Sequence, residues 1–255
     1  RCSLLSINKR PFAKPLVAIR ADGGVEAGWG HLMRCLALAE QIEALGGEVL
    51  WVTRPARGGG LDRLRRRGQR IETLAEYAIS DAAQTIDRLK SRGFWPHWVV
   101  VDHYALGVEW EKAIRDSGLR VLAIDDLAAR DHYCDGLLDQ TAGRVEADYA
   151  PWVPKDSLLL LGSDYALVGE AFRAGRVEAL QRRISRAGSV DRIFISFGSH
   201  DPTNATEDAV RALEKVGYDG EVDVILGLTA PHNEKVSRLL KALGRSYRLH
   251  LDPGD

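Results

Sequence analysis

Pro15-Leu16-Val17-Ala18-Ile19-Arg20, followed after a loop by Gly28-Trp29-Gly30-His31-Leu32-Met33-Arg34-Cys35, is the stretch that decides how this chain reads. The first run is apolar and β-branched between turn residues, the pattern of a buried strand. In the second, Leu32 begins a helical spacing that continues through Leu36, Ala39, Ile42 and Leu45 to a glycine stop at Gly46-Gly47. The opening unit is therefore strand, glycine loop, helix. A helix start offers unpaired N–H groups and the positive end of the helix dipole, which suit a phosphate or a developing anion. Gly28 and Gly30 let the backbone approach a ligand closely. The same positive end disfavours imidazolium, so His31 is expected to be neutral and available as a base. The plain alternative is a tight turn followed by a polar helix-start residue.

Working outward, residues 47–53, 70–74, 98–102 and 120–124 read as further strands, with helices over 61–68, 79–92 and 108–117. Such alternation implies right-handed crossovers and a parallel sheet, hence an α/β fold. Open sheets of this type bind ligands beyond the carboxyl ends of their strands. Three polar clusters then converge on one edge: His31 after the first strand, Asp102-His103-Tyr104 at the end of a later one, and Asp125-Asp126 at the end of the next. Taken singly, a strand-end carboxylate is as readily a turn or cap residue.

Residues 127–140 read as a structural loop, since His132 and Cys134 lack the second pair that a metal site needs. Pro151, Pro154 and Gly162 mark 149–165 as an interdomain hinge, containing a short buried strand at 158–161. A basic amphipathic helix over 169–187 is expected to pack as the bridge to a second unit. That unit opens strand-then-turn, and Gly198-Ser199-His200-Asp201 is expected to set another helix start against a phosphate. Its three strands and two helices are half of a nucleotide-binding domain. The expected organisation is a Rossmann-like catalytic domain over 16–163, a linker helix over 164–189 and an incomplete nucleotide-binding domain over 190–255.

Composition narrows the function classes. The 255 residues are 45% hydrophobic, enough for a real core, and the net charge of −1 supplies no basic field for nucleic acid. The arginines between Arg54 and Arg70 have no interleaved aromatics and read as a solvated helix face. Gly58-Gly59-Gly60 lacks the Lys-Ser/Thr of a phosphate-cradling Walker loop and reads as a flexible connection. No uncharged apolar run of about 18 residues suggests a membrane span. Cys2, Cys35 and Cys134 are odd in number and show no metal-ligand spacing, so they read as reduced thiols of a cytoplasmic protein. Arg1–Lys14 lacks the apolar core of a signal peptide.

Several motifs together resemble one family, the nucleotide-sugar hydrolases of pseudaminic acid biosynthesis, which remove UDP from UDP-2,4-diacetamido-2,4,6-trideoxy-β-L-altropyranose. They are Arg20-Ala21-Asp22-Gly23, Gly28 to Leu36, Val101-Asp102-His103-Tyr104, Ile124-Asp125-Asp126-Leu127-Ala128, His132-Tyr133-Cys134-Asp135, Tyr165-Ala166-Leu167 and Ser196-Phe197-Gly198. The resemblance runs in family order from residue 16 to 251. It implies a GT-B-like fold of two Rossmann-like domains around a cleft, the second truncated here. It also implies that His31 takes a proton from the water attacking the anomeric carbon with inversion. Tyr104 and Asp102 would complete the catalytic group by orienting water or sugar. The substrate-binding group would be Asp22, Gly28, Gly30, Arg34, His103, Asp125, Gly198, Ser199 and Asp201. No cofactor or metal is implied, and the expected partner is a small UDP-sugar bound by a monomer.

Two positions depart from the family pattern: Gly169 stands where an arginine is usual, and Ser199 where a second glycine is usual. In the family, the loops that hold uridine and diphosphate come largely from a segment beyond the one matching residue 251. Competing readings are a glycosyltransferase using the same cleft and an inactive nucleotide-sugar-binding fragment.

Overall fold

The computed structural model describes residues 14–24, 29–55, 60–75, 80–186, 188–244 and 246–251. Gly28, Gly58 and Gly59 lie outside the described residues. The chain divides into two compact units: of the described residues, those within 14–22, 31–55 and 61–168 fall in the first, and 23–24, 29–30, 60 and those within 169–251 in the second.

The first unit is built on β1 (Leu16–Ala21), β2 (Glu48–Thr53), β3 (Arg70–Thr73), β4 (Trp98–Asp102), β5 (Arg120–Ile124), β6 (Gly136–Asp139) and β7 (Leu158–Leu161). They form one parallel sheet in the order β3-β2-β1-β4-β5-β6-β7. The runs Val17-Ala18-Ile19 and Val99-Val100-Val101 are buried along their whole length, as strands covered on both faces must be. Helices α1 (Gly30–Ala44), α2 (Gly60–Arg66), α3 (Asp81–Ser91), α4 (Val108–Asp116) and the short α5 (Glu146–Tyr149) connect them. α1 buries Leu32, Cys35, Leu36, Ala37 and Ala39, of which all but Ala37 share one face. It ends at Gly46, whose φ of 83° is the left-handed stop expected there. At Gly47 a Cβ would sit 2.5 Å from Ile42 Cγ2 and 2.8 Å from Pro15 Cγ, so the chain can re-enter the sheet here only as glycine.

Strand order reverses between β1 and β4. Beyond the carboxyl ends of these two strands the connections diverge to opposite sides, which opens a crevice. Ala21 pairs with Asp102, so the last residues of both strands border that point together.

Three expectations for this unit are corrected. Residues 136–139 form β6 in the sheet interior, where Gly136 lies against Leu122 and Leu158; a glycine opening and an acidic end hid the strand. β7 is an edge strand with Leu158 55% exposed, not a buried one. The stretch 149–165 is no hinge, because Tyr149 is fully buried in the core with Leu137 and Val121.

The second unit holds α6 (Glu170–Ser185), β8 (Arg192–Ile195), α7 (Ala205–Lys215), β9 (Glu221–Leu226), α8 (Asn233–Leu243) and β10 (Tyr247–Leu251). Its three strands are parallel in the order β10-β9-β8, with Ile195, Val210, Val222, Val224, Val236 and Leu240 at the core. The expected packing of the basic helix is not found: α6 buries no side chain.

Cys35 and Cys134 are buried free thiols. Burial raises both above the usual thiol range, Cys134 to about 12, with the carboxylates of Asp102 and Glu111 acting in the same direction. Alkylation of the folded chain at pH 8 is expected to leave both unmodified. Peptide mapping that finds either one labelled as fast as in denaturant would contradict this burial.

Candidate active site

His31 stands in the first turn of α1, and Asp102 is the last residue of β4, so the two halves of the switch point deliver one histidine and one carboxylate. His31 Nδ1 lies 2.6 Å from Asp102 Oδ1. Arg34, one turn further along α1, donates from Nε to Asp102 Oδ2 and from Nη2 to Oδ1, each at 2.6 Å. Arg34 Nη2 also stands 3.2 Å from His31 Nδ1, but the shorter and charge-assisted carboxylate contact decides the tautomer. The ring proton therefore sits on Nδ1. Nε2 is left with its lone pair and has no partner among the described residues.

The Asp102 side chain is completely buried. Burial raises its carboxyl, and hydrogen bonds from Arg34 and then His31 more than offset that, so it lies below the ordinary carboxylate range and stays ionised. A residue so enclosed cannot touch a water or sugar. The expectation that Asp102 orients the reactants is thus corrected to one in which it holds His31.

Arg34 Nη1 reaches Asp126 Oδ2 at 2.9 Å, and the Tyr104 hydroxyl donates to Asp126 Oδ1 at 3.0 Å. Tyr104 meets His31 edge-on, with ring centroids 4.8 Å apart and planes at 82°. Its own position is open, at 52% exposure. Each N–H-bearing nitrogen of Arg34 faces Asp102 or Asp126, so its expected place in substrate binding becomes that of a tie between two acids.

Other expected site residues sort differently. Asp22 and His103 come together, with His103 Nε2 3.3 Å from Asp22 Oδ2. Asp22 also accepts from Arg20, the Thr53 hydroxyl and the Arg54 N–H. Burial works against its charge, but these donors hold the carboxyl well below the usual range, so its role in the fold is internal. At Gly30 a Cβ would meet nothing within 4 Å among the described residues.

Asp125 is corrected as a substrate contact. It is buried and accepts from the N–H groups of Leu127 and Ala128, from Arg130 Nε and from the Tyr149 hydroxyl. In the second unit, Gly198-Ser199 turns against Gly227, whose N–H donates to the Ser199 carbonyl at 2.9 Å. Asp201 is also corrected: 3% exposed, it accepts from the N–H groups of Ala205 and Thr206. The start of α7 is therefore already capped by a carboxylate, with Glu207 and Asp208 in the same turn. The backbone N–H groups of Ala205, Thr206 and Glu207 are thus already accepted within this turn, and a phosphate would have to displace those contacts.

No family model matches the chain. Over 237 residues it is 26% identical to the UDP-2,4-diacetamido-2,4,6-trideoxy-β-L-altropyranose hydrolase of Campylobacter jejuni, a match covering 92% of this chain and 78% of that one. It is also 23% identical over 239 residues to an uncharacterized protein of Methanocaldococcus jannaschii, covering 92% of this chain and 47% of the relative. Among solved structures, a glycosyltransferase from Rickettsia africae superposes with a TM-score of 0.55 at 11% identity, over 94% of this chain and 69% of that one. A UDP-N-acetylglucosamine 2-epimerase from Rickettsia bellii gives 0.54 at 12%, over 92% and 68%. The fold is GT-B-like.

In this GT-B-like chain, Asp126 is the site residue that sequence reasoning left out of the binding and catalytic groups. The Asp125-Asp126 pair was the available signal, but which of the two faces outward depends on where β5 stops. It stops at Ile124, and Asp125 turns inward to the loop that follows. Among the described residues no helix is long and apolar enough to cross a membrane.

A second buried group stands behind the site. His132 Nδ1 lies 2.8 Å from Glu111 Oε1, and its Nε2 lies 3.7 Å from Asp125, all three side chains being fully buried. Burial alone would lower the imidazolium, but the carboxylates of Asp125 and Glu111 raise it to about 9. A raised histidine stabilises the fold fully below its unfolded value near 6.5 and loses that contribution as pH climbs through 9. Denaturant melts are expected to show stability falling by roughly 2–3 kcal/mol between pH 6.5 and 9, a slope that His132→Gln removes. A flat profile in the unmodified chain would count against a buried charged His132.

Proposed function

We propose that this chain hydrolyses a UDP-linked 2,4-diacetamido-2,4,6-trideoxy sugar at the anomeric carbon with inversion. His31 Nε2 takes a proton from water while the water oxygen bonds to the anomeric carbon. The bond to the diphosphate oxygen breaks, and UDP leaves with the electron pair. Asp102, hydrogen bonded to Nδ1–H, orients the ring and stabilises the imidazolium as it forms. His31 returns its proton to solvent afterwards.

The observation that carries this reading is the Asp102–His31 pair, whose Nε2 has no hydrogen-bond partner among the described residues. Similarity to a UDP-sugar hydrolase along 92% of the chain supports the choice of substrate. A nucleophilic water fits the site better than a covalent enzyme intermediate, because the carboxylates of Asp102 and Asp126 are both tied to Arg34.

The test is incubation with the UDP-sugar in the absence of any acceptor. Free sugar and UDP in equal amounts, with the product anomer inverted by NMR, are expected. UDP release only when an acceptor alcohol is added would instead identify a transferase. No turnover, together with a rise in melting temperature on adding UDP, would identify a binding protein.

A further inference from the structure

Asp126 touches both sides of the site: it holds Arg34 through Oδ2 and receives the Tyr104 hydroxyl through Oδ1. Its backbone is fixed independently, since Arg144 Nη2 donates to the Asp126 carbonyl at 3.0 Å and Asp125 takes the next two backbone N–H groups. Arg130, anchored on Asp125, donates in turn to the carbonyl of Tyr104. The carboxylate of Asp126 and the ring of Tyr104 are thus held in register by separate ties.

A phenol has one hydrogen to donate. While Asp126 is ionised it accepts only, so the Tyr104 hydrogen points at it and the remaining lone pairs of the phenol oxygen face outward. His31 Nε2 also presents a lone pair.

We propose that Asp126 is a positioning residue that makes Tyr104 an acceptor, so that the nucleophilic water gives one hydrogen to His31 Nε2 and the other to the Tyr104 oxygen. Both hydrogens are then occupied, and a lone pair of the water is free for the anomeric carbon. The inference rests on the hydrolytic reading above. Partial burial and the Asp126 carboxylate both raise the Tyr104 hydroxyl above the ordinary phenol range, so it remains protonated at neutral pH. Asn in place of Asp126 offers a donor as well as an acceptor, which lets the phenol hydrogen turn toward the water.

The experiment is a double-mutant cycle on UDP release from the UDP-sugar. Asp126→Asn and Tyr104→Phe are each expected to lower kcat by about 10- to 100-fold, with KM changed by less than about twofold. The double variant is expected to be no slower than the slower single one, because both remove the same hydrogen bond. Tyr104→Phe leaves the Arg34–Asp126 pair in place, so it reports on the hydroxyl even if Asp126→Asn folds poorly. Multiplying losses in the double variant, or a loss confined to KM, would overturn the assignment while leaving hydrolysis standing. No turnover by the unmodified chain would overturn both.

Discussion

His31→Asn is expected to lower kcat for UDP release by about 10²–10⁴-fold, the range contributed by a positioned general base, with KM for the UDP-sugar nearly unchanged. The split follows from where the side chain stands. Nε2 is offered to the proton that moves in the transition state, whereas the other contacts of the ring are to Asp102, Arg34 and Tyr104. Asparagine fills similar space and can still bond Asp102, so the fold should survive. Its amide cannot accept a proton at neutral pH. Near-normal turnover by a folded His31→Asn chain would end the base assignment.

The second large effect belongs to a residue that touches no reactant. Asp102→Asn keeps shape and volume but places an amide N–H₂ within reach of His31 Nδ1. That favours the tautomer with its proton on Nε2, which cannot act as a base. Loss of about 10³-fold in kcat is expected, as for other carboxylates that orient a catalytic imidazole. Stability should fall as well, because Arg34 loses the charge on its most enclosed partner; breaking such a pair costs about 3 kcal/mol when burial is complete, and less here because Asp126 also holds Arg34. The two effects are separable. Activity measured well below the lowered melting point should remain depressed, and the His31→Asn, Asp102→Asn double variant should be no worse than His31→Asn alone. A variant restored to full activity simply by cooling would mean that Asp102 matters only to folding.

The sheet was legible because β1 and β4 are uninterrupted apolar runs between turn residues, and the place of the site followed from the strand ends. The same signal failed at β6, whose four residues include a glycine and an aspartate that the hydrophobic pattern counts against a strand. Which side chain at each strand end faces the site was beyond the pattern. A shift of one residue reverses the face, so Asp102 against His103 and Asp125 against Asp126 could not be sorted without the structure. Nor does local sequence disclose that Arg34 meets Asp126 across 92 positions. Asp201 is different: it reaches the N–H groups of Ala205 and Thr206 from three residues ahead of the N-cap Asn204, a contact that local spacing does not announce, and its neighbours Gly198 and Ser199 drew it into a phosphate reading instead.

The place of β1 between β2 and β4 also bears on how the chain is made. Its pairing to β2 can form as soon as residue 53 has emerged, but its other edge has no partner until the ribosome has added β4, with register partners 81 positions apart at Ala21 and Asp102. At about 5–20 residues per second, roughly eighty residues take about 4–16 s, during which an apolar strand keeps an open edge. Synthesis thus imposes a waiting time at the same seam where Asp102 later meets His31, so nascent chains halted between β2 and β4 should be the species most prone to aggregate and most protected by a holdase chaperone.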